Sequence, residues 1–500
     1  MARHAIACGH AETAAAADLI LRDGGNATDA AIAAALAAMV AEPVLAGLLG
    51  GGFALVIGDS APRLLDFFVQ TPRGRASDID FRSVLADFGT TTQEFHIGAG
   101  AIATPGVASG LSELHRQNGH MPFHRLTEPA ASLAKDGVKV SEYQAALGQI
   151  VRPILMASAE SRDLHCDDHG PRAAGSVHRN AAFADVLETF GREGARFVME
   201  GEVAAALIEL TREGGHLLAN DLLDYAPVWR EPMSVTRGGA EIALNPPPSL
   251  GGTLVALSLA LADHAPKAVE LARLFETISN CREETANDPS LLAAPSLVER
   301  YRKTLSAHAP SIRGTTQISV IDIEGNAVSI TLSNGEGCGL IVPGTGIMPN
   351  NMLGEGDLVP GDWHDWPLDK RLASMMCPLA VRWPDGRLAV MGSGGSNRIR
   401  TALAQVLFNL IDREVALEEA INAPRLHVEG ARLDYERAGT TEEAENALRA
   451  AFPGAVAWPE RSMFFGGVHG VMRTPTGDVF GSGDARRAGV ALPAAHLVAP

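Results

Sequence analysis

Two runs rich in β-branched residues, Thr315 to Asp322 and Ala327 to Leu332, are separated only by Ile323-Glu324-Gly325-Asn326. Gly and Asn supply the positive φ that a tight turn needs, so the segment reads as a β-hairpin. The hairpin opens on Gly314-Thr315-Thr316. A glycine before a threonine leaves little bulk beside the threonine backbone. Were the Gly314–Thr315 bond cut, Thr315 would become a free N-terminus. Its hydroxyl would then have its own α-amine as a neighbouring base, one way in which a weak nucleophile is activated. An α-amine has a pKa of about 8, close enough to neutrality for a general base. A Gly-Thr pair at a strand start is usually structural, so the rest of the chain must decide its meaning. Ser306 to Arg313, a polar connector with Pro310, precedes the pair and is a plausible place for a chain break.

Upstream, Ala11 to Arg22 reads as a short helix ending at Asp23-Gly24-Gly25-Asn26. Ala27 to Ala41 reads as a second helix, apolar all round and therefore expected to be buried. The glycines of Gly47-Leu48-Leu49-Gly50-Gly51-Gly52 read as a tight helix-to-strand turn rather than a ligand cradle, followed by strands Phe53 to Ile57 and Leu64 to Val69. Helices then dominate to about Ile208. Met233 to Val235 and Ala240 to Leu244 read as strands, with a helix opening near Thr253 and helical character from Lys267 to Leu305. Gly354 to Asp369 reads as a long loop, Leu379 to Val390 as a hairpin, and Gly392 to Ser396 as a Gly/Ser loop before a helix from Asn397 to Ile411. Backbone N–H groups at such a loop make an anion or oxyanion site. Neither GxGxxG nor GxxxxGK[ST] fits, which excludes a dinucleotide or phosphate loop of those kinds. Gly466 to Gly481 reads as a last hairpin.

The formal net charge of −18 argues against nucleic acid and anionic membrane surfaces as partners. Five scattered cysteines without a CxxC fit a reduced setting and suggest neither a disulfide framework nor a zinc site. His165-Cys166-Asp167-Asp168-His169 holds metal-ligand types, but adjacent ligands on a loop converge poorly on one ion, so a solvated turn is expected there. No cofactor or metal is expected. The first ten residues lack a signal-peptide h-region and no stretch is apolar enough to span a bilayer, so a cytoplasmic location is expected.

The order of several motifs is more specific than any of them alone. Asp23-Gly24-Gly25-Asn26-Ala27-Thr28-Asp29-Ala30, Glu42-Pro43, Gly50-Gly51-Gly52-Phe53, Thr104-Pro105-Gly106-Val107 and Pro246-Pro247-Pro248-Ser249 come first. Gly314-Thr315-Thr316, Pro343-Gly344-Thr345-Gly346-Ile347, Asn350-Asn351 and Lys370-Arg371 follow. From about Ala11 to about Gly489 the chain resembles the γ-glutamyltranspeptidase (glutathione hydrolase) family.

The resemblance implies an α+β fold, the four-layer αββα sandwich of Ntn hydrolases. It implies a proenzyme that cuts itself before Thr315, giving a large subunit 1–314 and a small subunit 315–500 interleaved in one domain. Thr315 would be the nucleophile, with Gly314 as its processing partner. Backbone N–H groups of Gly395 and Ser396 would hold the oxyanion; the family has two glycines there. Ser333 and Asn334 fall near the family's nucleophile-bonding Thr and Asn. Glu355 stands at the family's aspartate for the glutamyl α-amine, and Ser374 is the first of a serine pair whose second member is here Met375. The arginine that grips the α-carboxylate is replaced by Phe68, with Arg73, Arg75 or Arg398 as candidate substitutes. The loop between Glu355 and Ser374 is shorter than in lidded members.

The first expectation is therefore γ-glutamyl hydrolysis or transfer on a small amide substrate. The runner-up is an acylase of the same fold taking another acyl group, which Phe68 and Met375 favour. A non-catalytic binding protein is the third reading, disfavoured by Gly314-Thr315-Thr316. Assembly of processed heterodimers into a homo-oligomer is left open.

Overall fold

The computed structural model describes residues 3–87, 92–285, 288–292, 314–356, 358–359 and 363–494. The whole Ser306–Arg313 connector, and residues 286–287 and 293–305 of the expected 267–305 helix, therefore lie outside the described residues. Two antiparallel sheets carry the fold. The seven-stranded one has the order Val228–Arg230, Arg63–Phe67, Gly51–Ile57, Ala327–Ser333, Thr316–Ile321, Ala5–Cys8, Val490–Leu492. The six-stranded one has the order Met233–Arg237, Ala240–Leu244, Leu379–Arg382, Leu388–Gly394, Gly467–Arg473, Val479–Ser482. Strands from both sides of position 315 thus share each sheet.

The hairpin expected from the sequence sits at the centre of the first sheet, with Ile318 opposite Ile330 and Val320 opposite Val328. Its alternation separates two chemistries. Ile318, Val320, Val328 and Ile330 belong to an apolar cluster with the Ala27–Ala41 helix. Gln317, Ser319, Ser329 and Thr331, all fully buried, form a polar seam toward the second sheet. Ser319 Oγ donates to His469 O at 3.0 Å and Ser329 Oγ to Met391 O at 3.0 Å. Gln317 Nε2 donates to both serine hydroxyls, at 3.0 and 2.9 Å, and Thr331 Oγ1 donates to Gln317 Oε1 at 2.6 Å. A seam so fully paired fixes the register of the two sheets.

The Ala27–Ala41 helix is buried along its whole length. Asn26 and Asp29 close a reciprocal capping box, and Ala27 N–H donates to Asp322 at the hairpin turn at 3.0 Å. Helices Leu250–Leu261, Ala268–Glu284 and Arg398–Leu407 cover the six-stranded sheet. The order is helices, sheet, sheet, helices: the expected αββα sandwich.

Several local expectations change. The helix expected near Thr253 begins at Leu250, because Leu250 and Gly251 N–H groups find the Ser374 carbonyl at 2.8 and 3.1 Å. The Gly/Ser run is mostly strand: Gly394 pairs with Gly467, leaving a turn only from Gly395 to Asn397. The expected solvated turn at 165–169 is a small hairpin exposed only at its tip; Cys166 is buried and His165 stacks on His178 at 5.5 Å. The strands Ala5–Cys8 and Val490–Leu492, and the three-stranded sheet of Leu426–Glu429, Arg432–Glu436 and Val456–Trp458, carry no strong pattern in the sequence.

Candidate active site

Thr315 lies at the edge of the central hairpin, one residue before the strand Thr316–Ile321, and is buried. Its hydroxyl donates to the carbonyl oxygen of Gly314 at 2.7 Å. Ser333, at the end of the paired strand, donates to the same oxygen at 2.9 Å and accepts the Gly335 N–H at 3.0 Å. The carbonyl of the Gly314–Thr315 peptide thus meets one hydroxyl from the residue that follows it and another from across the hairpin. Both donors polarise the C=O bond. On the same, acyl side of the bond, Gly314 N–H donates to Glu336 Oε1 at 2.8 Å.

The hairpin segment around Thr315 is held from both faces. Thr316 Oγ1 donates to Glu42 Oε2 at 2.8 Å, and Arg487 donates to Thr315 O at 3.2 Å. Burial pushes the Glu42 carboxyl up to about 7, with the Thr316 bond and the Arg487 charge pulling the other way. Gly394 packs its backbone so closely on the Thr315 carbonyl and Arg487 that a side chain there would collide with both.

A cleft opens beside Gly314 and Thr315. Its polar lining is Thr315, Ser333, Glu355, Ser374 and Ser396; its apolar lining is Phe68, Met352, Leu358, Met375, Met376 and Ile399. Among the described residues the lining holds no arginine, lysine or histidine. Phe68 is buried, stacked on Phe53 with ring centroids 5.5 Å apart, while its carbonyl accepts from Tyr225 OH at 2.7 Å and from Arg371. Ser374 Oγ accepts the Met376 N–H at 3.1 Å, and its carbonyl is pinned by the helix that opens at Leu250. Glu355 is buried and its carboxylate packs against Gly335, whose φ of +65° and lack of a side chain leave room for it.

Of the remaining expected residues, Asn334 and Gly395 stand apart from the cleft lining. Asn334 faces away, packed on Gly47 and donating to Met348 O at 3.0 Å. Gly395, φ +120°, packs on Gly466 and Arg487, whereas Ser396 lines the cleft with φ +50°. A non-glycine residue in the left-handed region costs about 1–3 kcal/mol, and such strain gathers at functional turns. None of the three candidate arginines lines the cleft. Arg73 pairs with Asp224 and Asp369, Arg75 donates to Trp366 O near Asp365, and Arg398 lies over the Phe464 ring at 4.3 Å. In the sequence Glu42 stands out only as part of a motif, and neither Glu336 nor Arg487 is a candidate there. Glu336 follows Ser333 by three residues, which is a signal within reach. Arg487 comes from the far end of the chain and has none.

No group of three or more metal-ligating side chains is found among the described residues, and no helix among them is long and apolar enough to cross a membrane. The five cysteines are all buried outside any disulfide.

The profile of the family described as Gamma-glutamyltranspeptidase matches residues 13–286 and 272–494. A glutathione hydrolase proenzyme of Pseudomonas aeruginosa is 30% identical over 457 residues, covering 82% of this chain and 80% of its own. An "Acylase ACY 1 proenzyme" of Pseudomonas sp. (strain V22) is 30% identical over 520 residues, covering 96% and 91%. Among solved structures, a cephalosporin acylase from Bacillus halodurans superposes with a TM-score of 0.83 at 23% identity, covering 98% of this chain and 95% of that one; at that identity the likeness is one of fold.

Proposed function

Because this chain belongs to the gamma-glutamyltranspeptidase family, we propose that it is a self-cleaving amidohydrolase with Thr315 as its N-terminal nucleophile. Its acyl group lacks the carboxylate that a γ-glutamyl group carries, which makes it an acylase by preference. The observation that carries this reading is the cleft beside Thr315. Phe68 stands in the lining, and among the described residues no cation does. A buried carboxylate needs a charge-assisted partner, and neither a phenyl ring nor a methionine supplies one.

The chemistry runs in two stages. Thr315 Oγ, whose hydroxyl meets the Gly314 carbonyl oxygen in the uncut chain, attacks the carbon of that carbonyl. The C–N bond breaks, the amine keeps the proton given up by the hydroxyl, and an ester joins Gly314 to Thr315. Water hydrolyses that ester, leaving a carboxylate at Gly314 and a free α-amine at Thr315. Subunits 1–314 and 315–500 result, still sharing both sheets. In the second stage the free amine takes the Thr315 hydroxyl proton as Oγ attacks a substrate amide, then gives it to the leaving amine. Backbone N–H groups at Gly395 and Ser396 are the proposed oxyanion donors for this stage. Water releases the acyl group.

γ-Glutamyl hydrolysis or transfer, the first expectation from the sequence, becomes the second reading, favoured by Glu355 and Ser374 in the same lining and by the glutathione hydrolase relative. Covalent labelling tests the nucleophile common to both. An electrophilic amide analogue should add its mass to the first residue of a chain beginning at Thr315. Label on Ser249, Ser374 or a cysteine, with Thr315 unmodified, refutes the assignment.

A further inference from the structure

We infer that a second pocket, walled by the end of the Ala27–Ala41 helix and by the small hairpin that follows His165, binds a carboxylate carrying an apolar chain. The pocket shares no lining residue with the cleft beside Thr315, so this site goes beyond the proposed activity.

Its body is apolar. Val40 and Val44 bracket the end of the helix, Val138 comes from the strand Val138–Lys139, and Leu155 and Pro171 complete the wall. Gly148, inside the helix Glu142–Ile150, also lines it. A helix interior ordinarily disfavours glycine, but a side chain here would begin 3.3 Å from Pro171 and intrude on the pocket.

Its charge has one sign. Lys139 and Arg172 line the pocket, and no aspartate or glutamate does among the described residues. Neither cation pairs with a carboxylate among those residues; Arg172 spends only its Nε, on Leu164 O at 3.3 Å. His165 and His178, stacked at 5.5 Å, close the pocket as neutral rings. Burial is the main cause that lowers them to about 3 and about 4, with the Arg172 charge adding to it.

The independent observation is Gln144. It lines the same pocket, is only 8% exposed, and its side-chain Nε2 has no acceptor among the described residues. A buried N–H2 group without an acceptor is destabilising, and a bound carboxylate supplies one. A carboxylate also gives the planar Arg172 guanidinium its natural partner. A cationic ligand would meet two like charges. A small polar anion would leave the apolar wall unused, and a neutral ligand the cations.

Hexanoate, hexanamide, protonated hexylamine and acetate would each be titrated into wild-type protein by calorimetry. We expect hexanoate to bind about 10-fold or more tighter than hexanamide or acetate, with hexylamine weakest. Arg172→Gln should abolish the margin of hexanoate over hexanamide while leaving hexanamide affinity as it was. Gln144→Leu should weaken hexanoate binding yet leave the melting temperature of the free protein unchanged or raised, because it removes a donor that has no partner. Wild-type hexanoate affinity in Arg172→Gln or in Gln144→Leu would place the ligand elsewhere and overturn the inference. Hexanamide or acetate binding as tightly as hexanoate would overturn it as well.

Discussion

At position 68 the cleft carries a phenyl ring. The Phe68 ring is stacked on Phe53 and fills the part of the lining where a carboxylate-binding arginine is expected from the family resemblance. A charge-assisted hydrogen bond contributes about 1.5–3 kcal/mol, or roughly one to two orders of magnitude in affinity. Phe68→Arg should therefore lower the KM for a γ-glutamyl anilide by about 10-fold or more and weaken turnover of neutral acyl anilides, as steady-state kinetics on both substrates will read. An unchanged KM would mean that the α-carboxylate binds elsewhere. Individual residues were also where the sequence was most and least legible. Thr315, Ser333, Glu355 and Phe68 reach one cleft because each lies next to a strand end or a glycine-rich turn whose pattern is local, and Ser374 joins them from the irregular segment before the strand Leu379–Arg382. Arg487 and Glu42 hold the same segment through contacts 172 and 274 residues away in sequence, and no local pattern announces such a contact.

At the scale of elements, the turn from Gly395 to Asn397 rests on buried ion pairs beneath it. Arg400, in the helix that follows the turn, donates to Glu429 at 2.6 Å, and Arg282 donates to the same carboxylate at 2.9 Å. The two arginines hold Glu429 well below the usual carboxylate range despite its burial. Asn397 also donates to Glu429, at 3.3 Å, so the acid ties the turn to the strand Leu426–Glu429. Glu429→Gln leaves both guanidinium groups buried without that charge, at a cost of about 3–5 kcal/mol. A lower melting temperature should accompany a loss of kcat larger than any change in KM, because the turn borders the reacting atoms. A stable variant with full activity would show that the turn does not depend on this acid. The helices Ala11–Arg22 and Ala27–Ala41 were readable to their ends because caps and composition are local properties. The strand Ala5–Cys8 was not, since four apolar residues become a strand only when Thr316–Ile321 and Val490–Leu492 flank them.

Across the whole molecule, buried histidines set the response to acid. Burial is the main cause that lowers His165 to about 3 and His178, His216, His427 and His469 to about 4. An unfolded histidine titrates near ~6.5, so between that value and about 4 the unfolded chain binds more protons than the folded one. Stability is then complete above about pH 6.5 and falls as the pH drops, each histidine contributing on the order of 2–3 kcal/mol. Glu42 works in the opposite sense, since its raised value favours the folded state at low pH. One acid against five histidines leaves a net loss, so the melting temperature should decline steadily from pH 6.5 to pH 4.5; a flat profile would contradict the burial of these rings. The αββα order itself was legible only through the succession of motifs, because hydrophobic patterns identify strands without saying which sheet each one joins. Self-cleavage at the Gly314–Thr315 bond underlies the proposed activity, and the intact mass of freshly purified protein tests it most directly. Two polypeptides, 1–314 and 315–500, are predicted for the wild type, and a single chain for Thr315→Ala. A wild-type protein that stays whole and still cleaves amides would contradict it.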